Sequence, residues 1–488
     1  MNNNVERAPE FTEVIIVGAG FAGIGAAIKL RQEGIEFVVL EKAVEMGGVW
    51  RDNHYPDCGC DVPSALYSYS FAPKFDWSHF FAKQEEIKQY TVDTATEFGI
   101  LPSIKFEHEA LSIRWIAEPG CWEIATVKGV FRCNYVVMAS GPMHTPVLPQ
   151  IKGLETFSGT TFHSARWNHD YDLTGKRVAV IGTGASAVQF LPEIVDKTSA
   201  LTLFQRTAPW ILPKMDVRIS KSWQNRFKRF PFLLRMLRRA VYCQFELLNS
   251  SLKFPFLIKR LEAVGISNIH RGVKDPLLRD KLTPDFSIGC KRILMSNTWY
   301  RALAKDNVQV VGSVAEISGD TVISHDGSVC QVDAIIFATG FEVSNPPIAE
   351  RIYNKEGMAL SEQWQGSPVG YYGTTVEKCP NLFLTLGPNL YTFSSAFVMI
   401  EAQLNYIVSA ITTMRKRQLK TLEVNTDTNR HYNIRLQSAL QKTVWNIGGC
   451  TSYFIDKNGL NSTNWPWTTF YMRRKLGKFE IRDYCVSE

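Results

Sequence analysis

A chain of 488 residues exceeds what one hydrophobic core serves, so two or three domains are expected. Apolar residues make up 45% and charged residues 21%, the mix of a globular protein, and no run of about 18 apolar residues marks a spanning helix. The net charge of +7 comes with no nucleic-acid-reading motif, and the polar residues 1–10 lack a signal-peptide layout, which points to the cytoplasm.

The first predicted element is a buried parallel strand, Val14-Ile15-Ile16-Val17. Gly18-Ala19-Gly20-Phe21-Ala22-Gly23 follows, then a helical run over 24–32 and a second strand over 37–40 that ends at Glu41. This is a complete βαβ unit with G-x-G-x-x-G at its first turn. Gly18 makes the turn, Gly20 lets a pyrophosphate approach the backbone, and Gly23 lets the helix pack on the strand. Phosphates then sit at the helix N-terminus, where free N–H groups and the dipole favour negative charge. Glu41, 23 residues after Gly18, is placed to accept hydrogen bonds from ribose hydroxyls.

Cys58-Gly59-Cys60 is the closest pair among ten cysteines. There is no C-x-x-C and no second pair, so it reads as two reduced thiols in a loop, and no metal is expected.

Further on, Arg177-Val178-Ala179-Val180-Ile181 is a strand, and Gly182-Thr183-Gly184-Ala185-Ser186-Ala187 is a G-x-G-x-x-A turn. A helix over 188–194 and a strand over 201–204 complete a second βαβ unit. The position 23 residues after Gly182 is Gln205, followed by Arg206-Thr207. The carboxylate that would repel a 2′-phosphate is absent, and a guanidinium able to grip one is present. The first unit therefore reads as holding an unphosphorylated ribose and the second as holding NADP.

Residues 214–239 carry nine basic side chains and one acid, Asp216. Residues 227–248 mix these charges with apolar side chains at helical spacing. An amphipathic helix packed on its own protein is expected, and contact with an anionic membrane surface is the alternative. The runs 332–340 and 136–141 end in small-residue turns and read as strands where the chain passes between nucleotide domains.

Two nucleotide sites in one chain imply FAD plus NADPH. NADPH delivers a hydride, and a flavin can pass its electrons on singly or to O₂. Disulfide reductases need a cysteine pair of suitable spacing beside the flavin, and none is evident. Oxidases need only the two sites, whereas monooxygenases need further apparatus.

Three remaining motifs carry a resemblance. Phe157, Gly159, His163 and Trp167 spell F-x-G-x-x-x-H-x-x-x-W just before the second βαβ unit. Gly47-Gly48-Val49-Trp50, Asn53, Tyr55-Pro56 and Asp61 follow the first unit, and Thr283-Pro284, Gly289 and Lys291-Arg292 lie later. In these the sequence resembles the type I Baeyer–Villiger monooxygenases over about residues 12–484, with Gly387-Pro388-Asn389 and 399–403 adding a late flavin-domain motif. The resemblance implies that Val49, Trp50 and Tyr67 lie along the flavin. It implies that Lys291 contacts NADP, that Arg292 is the active-site arginine paired with Asp61, and that His163 couples domain movement to cofactor binding. The chain departs from the pattern at Asp57, at Asn168 after the fingerprint, in the bulkier 390–393 stretch, and at Tyr453, where the family's Trp contacts the nicotinamide nucleotide.

The expected fold is α/β, with two Rossmann-like dinucleotide-binding domains and a helical insertion. An FAD domain would span 1–150 and 341–488, an NADP domain 151–212 and 286–340, and the insertion 213–285. The implied reaction inserts one oxygen atom of O₂ beside a ketone carbonyl to give an ester or lactone through a C4a-peroxyflavin. NADPH would be held by Arg206, Thr207 and Lys291. Rivals are S- or N-oxygenation, an uncoupled NADPH oxidase and a redox-inert scaffold. Neither the particular ketone nor the oligomeric state is legible.

Overall fold

The computed structural model describes residues 9–488; the reading of the extreme N-terminus as leader-free lies largely outside them. Val14, Ile15 and Ile16 are completely buried, which a strand covered on both faces requires. That strand, Glu10–Val17, is the centre of an eight-stranded sheet. It pairs in parallel with Phe37–Leu40 on one side and Gly129–Met138 on the other. An antiparallel extension, Ala110–Ile116 and Cys121–Thr126, continues the sheet from Gly129–Met138. Leu382–Leu384 returns from late in the chain to pair with the same strand.

A second sheet has five parallel strands, in the order Val308–Val311, Ala200–Phe204, Arg177–Ile181, Ala334–Phe337 and Thr160–His163. Each sheet has one Gly-rich turn, at the C-terminal end of its founding strand, leading into the helices Phe21–Gln32 and Ala185–Ile194. Ligands bind at that end of such sheets.

The insertion is helical: Lys221–Arg229, Pro231–Ser251, Pro255–Gly272 and Pro276–Leu282. The single helix expected over 227–248 is in fact two. Pro231 has no N–H to continue the first helix and pushes its predecessor out of helical geometry, and Phe230 sits at φ −128°, ψ 74°. The chain passes from Pro209 to Lys291 without lining the central cavity, so the insertion does not wall it.

Among the described residues one helix, Ala396–Arg417, is long and apolar enough to cross a membrane by composition, but 72% of its most apolar window is buried. It packs on Phe21–Gln32, where a Cβ on Gly25 would lie 2.9 Å from Leu404.

Candidate active site

Both Gly-rich turns open into one cavity of about 1340 Å³, larger than the usual single-ligand pocket of about 300–1,000 Å³. The first turn fits a dinucleotide for reasons visible in its backbone. Gly18 has φ +109°, and a Cβ there would lie 2.6 Å from the Ala139 carbonyl oxygen. At Gly23 a Cβ would lie 1.8 Å from the Gly18 oxygen, so only glycine lets helix and strand meet. Gly20 differs: a Cβ there meets nothing nearer than the Gly48 Cα at 3.6 Å, so the space before it is left for a ligand.

Glu41 is buried and accepts from the Ala19 N–H at 2.8 Å, the Ala43 N–H at 3.0 Å and the Arg51 guanidinium at 3.0 Å. A carboxylate has about four acceptor sites, so one stays open toward the cavity it lines. Val49 and Trp50 also line the cavity, and the Trp50 indole donates to the Tyr67 hydroxyl at 3.1 Å. Burial pushes the Tyr67 phenol well above its ordinary pKa, so the hydroxyl stays protonated.

The second turn repeats this geometry. Gly182 has φ +108° and the same 2.6 Å approach, here to the Ala338 carbonyl oxygen. Thr183, Gly184 and Ser186 line the cavity with Arg206 and Thr207. Lys291 donates to the Thr207 hydroxyl at 2.6 Å, and the Thr183 hydroxyl donates to the Thr207 carbonyl at 3.1 Å. Burial first and then the neighbouring Arg206 lower the Lys291 pKa. Among the described residues no carboxylate forms an ion pair with Arg206 or Lys291, so two cations face the site unneutralised.

Asp61 and Arg292 come from residues 231 apart and meet at the cavity wall, Nη2 to Oδ2 3.2 Å. Tyr391, the largest contributor, and then Asp61 and Tyr453 hold the Arg292 pKa above the ordinary arginine range. All four residues line the cavity. Two partners of Asp61 were not singled out in the sequence. Gln189, from the second unit's helix, donates to its Oδ1 at 3.3 Å, and Lys214 lies 4.0 Å away. Gln189 also accepts from the Tyr55 hydroxyl and the Gly59 N–H, so one amide ties the second unit to the Cys58–Asp61 loop. Its signal in the sequence is faint: one polar residue among several on the helix Ala185–Ile194.

The fingerprint around His163 does not line the cavity apart from its contacts to the second turn. A Cβ on Gly159 would lie 2.4 Å from the Asp333 oxygen, and Trp167 packs on Phe190 of the second unit's helix at 5.0 Å. Ser164 donates to Ser186 at 3.0 Å. His163 ends its strand opposite Phe337, close to Phe341, where the chain leaves the second sheet. Its Nδ1 accepts from the Ala165 N–H, and its Nε2 is buried without a partner. Burial, with Arg166 second, lowers its pKa to about 4.

His163 is therefore neutral when folded, while an unfolded chain binds a proton below about pH 6.5. Its contribution to stability is present above that pH and drains away as pH falls toward 4. His163→Gln is expected to flatten the fall in urea midpoint between pH 7 and pH 5. An unchanged slope would contradict this assignment.

The cysteines part company. Cys58 and Cys60 are free and line the cavity, but burial pushes both thiols up to about 12, the wrong direction for a thiolate nucleophile. Cys290 and Cys450, 160 residues apart, form a disulfide beside Lys291 that no spacing announced. Of the 390–393 stretch, Leu390 and Tyr391 line the cavity, while Phe393 stacks on Trp445.

A pyridine nucleotide-disulphide oxidoreductase family pattern matches residues 15–241. A Baeyer–Villiger monooxygenase of Streptomyces coelicolor is 44% identical, the match covering 99% of this chain and 94% of that protein. One of Pseudomonas aeruginosa is 41% identical, covering 98% and 92%. A solved structure of oxidised steroid monooxygenase bound to NADP superposes with a TM-score of 0.88 at 27% identity, over 98% of this chain and 100% of that one. Full-length identity at this level, with two nucleotide turns converging on one cavity, means that the chain belongs to the Baeyer–Villiger monooxygenase family.

Proposed function

We propose that this chain uses FAD and NADPH to insert one atom of O₂ beside a ketone carbonyl, giving an ester or lactone. The observation that carries the reading is Arg292, held against Asp61 in the cavity that both Gly-rich turns share. The flavin, when bound, supplies the activated oxygen, and NADPH supplies the electrons.

The chain's own contributions follow from its charges. Gly18, Gly20 and Gly23 bring a diphosphate to the N-terminus of Phe21–Gln32, and the open acceptor site of Glu41 takes a ribose hydroxyl. Val49, Trp50 and Tyr67 would lie along the flavin ring. Gly182, Thr183, Gly184 and Ser186 bring the second diphosphate to the helix Ala185–Ile194, and Tyr453 keeps a donor for the nicotinamide nucleotide. Arg292 cannot lose its proton, so it meets negative charge developing on the substrate oxygen with a fixed cation. Asp61, held in turn by Gln189, keeps the guanidinium aimed. His163 acts from outside the cavity, as a positioning residue between the second turn and the chain that leads to the first domain.

The first domain is assigned residues 1–150 and 341–488, and the second 151–212 and 286–340. A cytoplasmic setting fits the use of NADPH.

The cofactor assignment is tested by Arg206→Gln and Lys291→Gln. A charge-assisted hydrogen bond is worth about 1.5–3 kcal/mol, so each change should weaken NADPH by about ten- to a hundredfold in anaerobic flavin reduction. NADH, which lacks the 2′-phosphate, should be nearly unaffected. Equal losses for both nucleotides would remove the two cations from 2′-phosphate recognition.

A further inference from the structure

The outward side of the helical insertion has no part in the proposed reaction, yet its surface is unusual. The helix Pro231–Ser251 has two apolar faces where a globular protein needs one. Its inner face is used: Val241 and Tyr242 pack on Leu66 and Val398, and Arg238 donates to the carbonyls of Ala65 and Ser68 at 2.9 Å. At 3.6 residues per turn, Phe232, Met236, Cys243 and Leu247 fall on the opposite side within an arc of about 60°. Phe232, Met236 and Leu247 are 50%, 59% and 72% exposed.

This stripe belongs to a larger patch. Ten of the twenty-six large apolar side chains exposed among the described residues lie between Met215 and Val264, about a tenth of the chain, so the clustering is not the ordinary scatter of surface apolar groups. Three of its aromatic rings carry a guanidinium: Arg226 over Trp223 at 5.0 Å, Arg229 over Phe230 at 5.3 Å and Arg260 over Phe256 at 5.7 Å.

The charge on the patch is predominantly positive. From Met215 to Val264 there are eleven basic residues and three acids: Glu246 is buried against Thr469, and Asp216 and Glu262 accept from the Phe81 and Ile288 backbone N–H groups. Lys228 is paired with Asp76 and Arg238 faces inward, but Arg235 and Arg239 flank the stripe on the exposed side. A second copy of the same face would set Arg235 and Arg239 against like charges, because Asp216 and Glu262 are already taken by backbone N–H groups of their own chain. A purely anionic polymer would leave Phe232, Met236 and Leu247 in water. A lipid surface accepts both features, because aromatic and aliphatic side chains enter the acyl boundary while arginines reach back to the headgroups.

We propose that this face of the insertion seats the protein on a bilayer rich in anionic phospholipid. The test uses the FAD-loaded enzyme and two sets of vesicles, phosphatidylcholine alone and phosphatidylcholine with phosphatidylglycerol, read by co-sedimentation. Binding to the anionic vesicles is expected to be at least about tenfold stronger and to fall with added salt. R235E/R239E should abolish the preference, and F232S/M236S should weaken binding by at least about tenfold, both at unchanged flavin content and melting temperature. Equal binding to both vesicle types would overturn the proposal, as would full binding by R235E/R239E. So would F232S/M236S binding as well as the parent, which would indicate a partner read by charge alone. Absence of vesicle binding, together with concentration-dependent self-association that F232S/M236S removes, would assign the face to a second copy instead.

Discussion

Arg292→Ala is expected to cut ester formation by about a hundred- to a thousandfold while NADPH still reduces the flavin. The range is what loss of one fixed donor to a developing oxyanion costs. The split between the two steps follows from position. Arg292 is paired with Asp61, whereas the side chains facing the second turn are Arg206 and Lys291, and none of those contacts is removed. The substitution should not unfold the protein either. Removing one partner of a buried pair is usually costly because the other charge is stranded. Here Asp61 keeps the Gln189 amide at 3.3 Å and the Lys214 ammonium at 4.0 Å. Stopped-flow absorbance would read the reduction, mass analysis of product the oxygenation, and a melting curve the fold. Ester yield unchanged in the variant would take Arg292 out of the chemistry.

The second large effect separates two glycines three residues apart. Gly23→Ala places a methyl 1.8 Å from the Gly18 oxygen, a backbone atom that cannot swing away. The helix Phe21–Gln32 must lift from the central strand, at a cost of about 1–3 kcal/mol or more. The protein should purify colourless and melt several degrees lower. Gly20→Ala meets only the Gly48 Cα, at 3.6 Å, and Gly20 has an ordinary φ of −84°. It should fold with near-parental stability and still lose flavin, because the methyl stands where the diphosphate approaches. Visible absorbance against melting temperature distinguishes the pair. A yellow Gly20→Ala with unaltered affinity would place the diphosphate elsewhere.

That contrast marks what a sequence makes legible. The two βαβ units could be read because each is local: strand, turn, helix and strand lie within about thirty residues, and the turn chemistry dictates its own glycines. The Arg292–Asp61 pair was legible only through resemblance, since nothing in the spacing of positions 231 apart announces a contact. Gln189 and Lys214 are illegible as site residues for the same reason. Gln189 resembles any polar residue on a helix until the second unit packs on the Cys58–Asp61 loop. Lys214 resembles one more surface charge in a basic run until it turns in toward Asp61.

The insertion shows the reverse limit. Its helical spacing was evident, but spacing alone does not say which apolar face meets the protein. The break at Pro231 was missed because the apolar rhythm continues straight across it. The Cys290–Cys450 bond joins two segments brought together by the tertiary fold, and a count of motifs could not find it.

The fate of the oxygen substrate, O₂, decides the reaction. The most direct measurement supplies the FAD-loaded enzyme with NADPH, a panel of cyclic, linear and aryl ketones, and isotopically labelled O₂, and weighs the products. An ester or lactone carrying one labelled atom, formed in step with NADPH consumption, is expected. Labelled hydrogen peroxide as the sole oxygen product with every ketone, or a label appearing only on a thioether or amine supplied in its place, would contradict it.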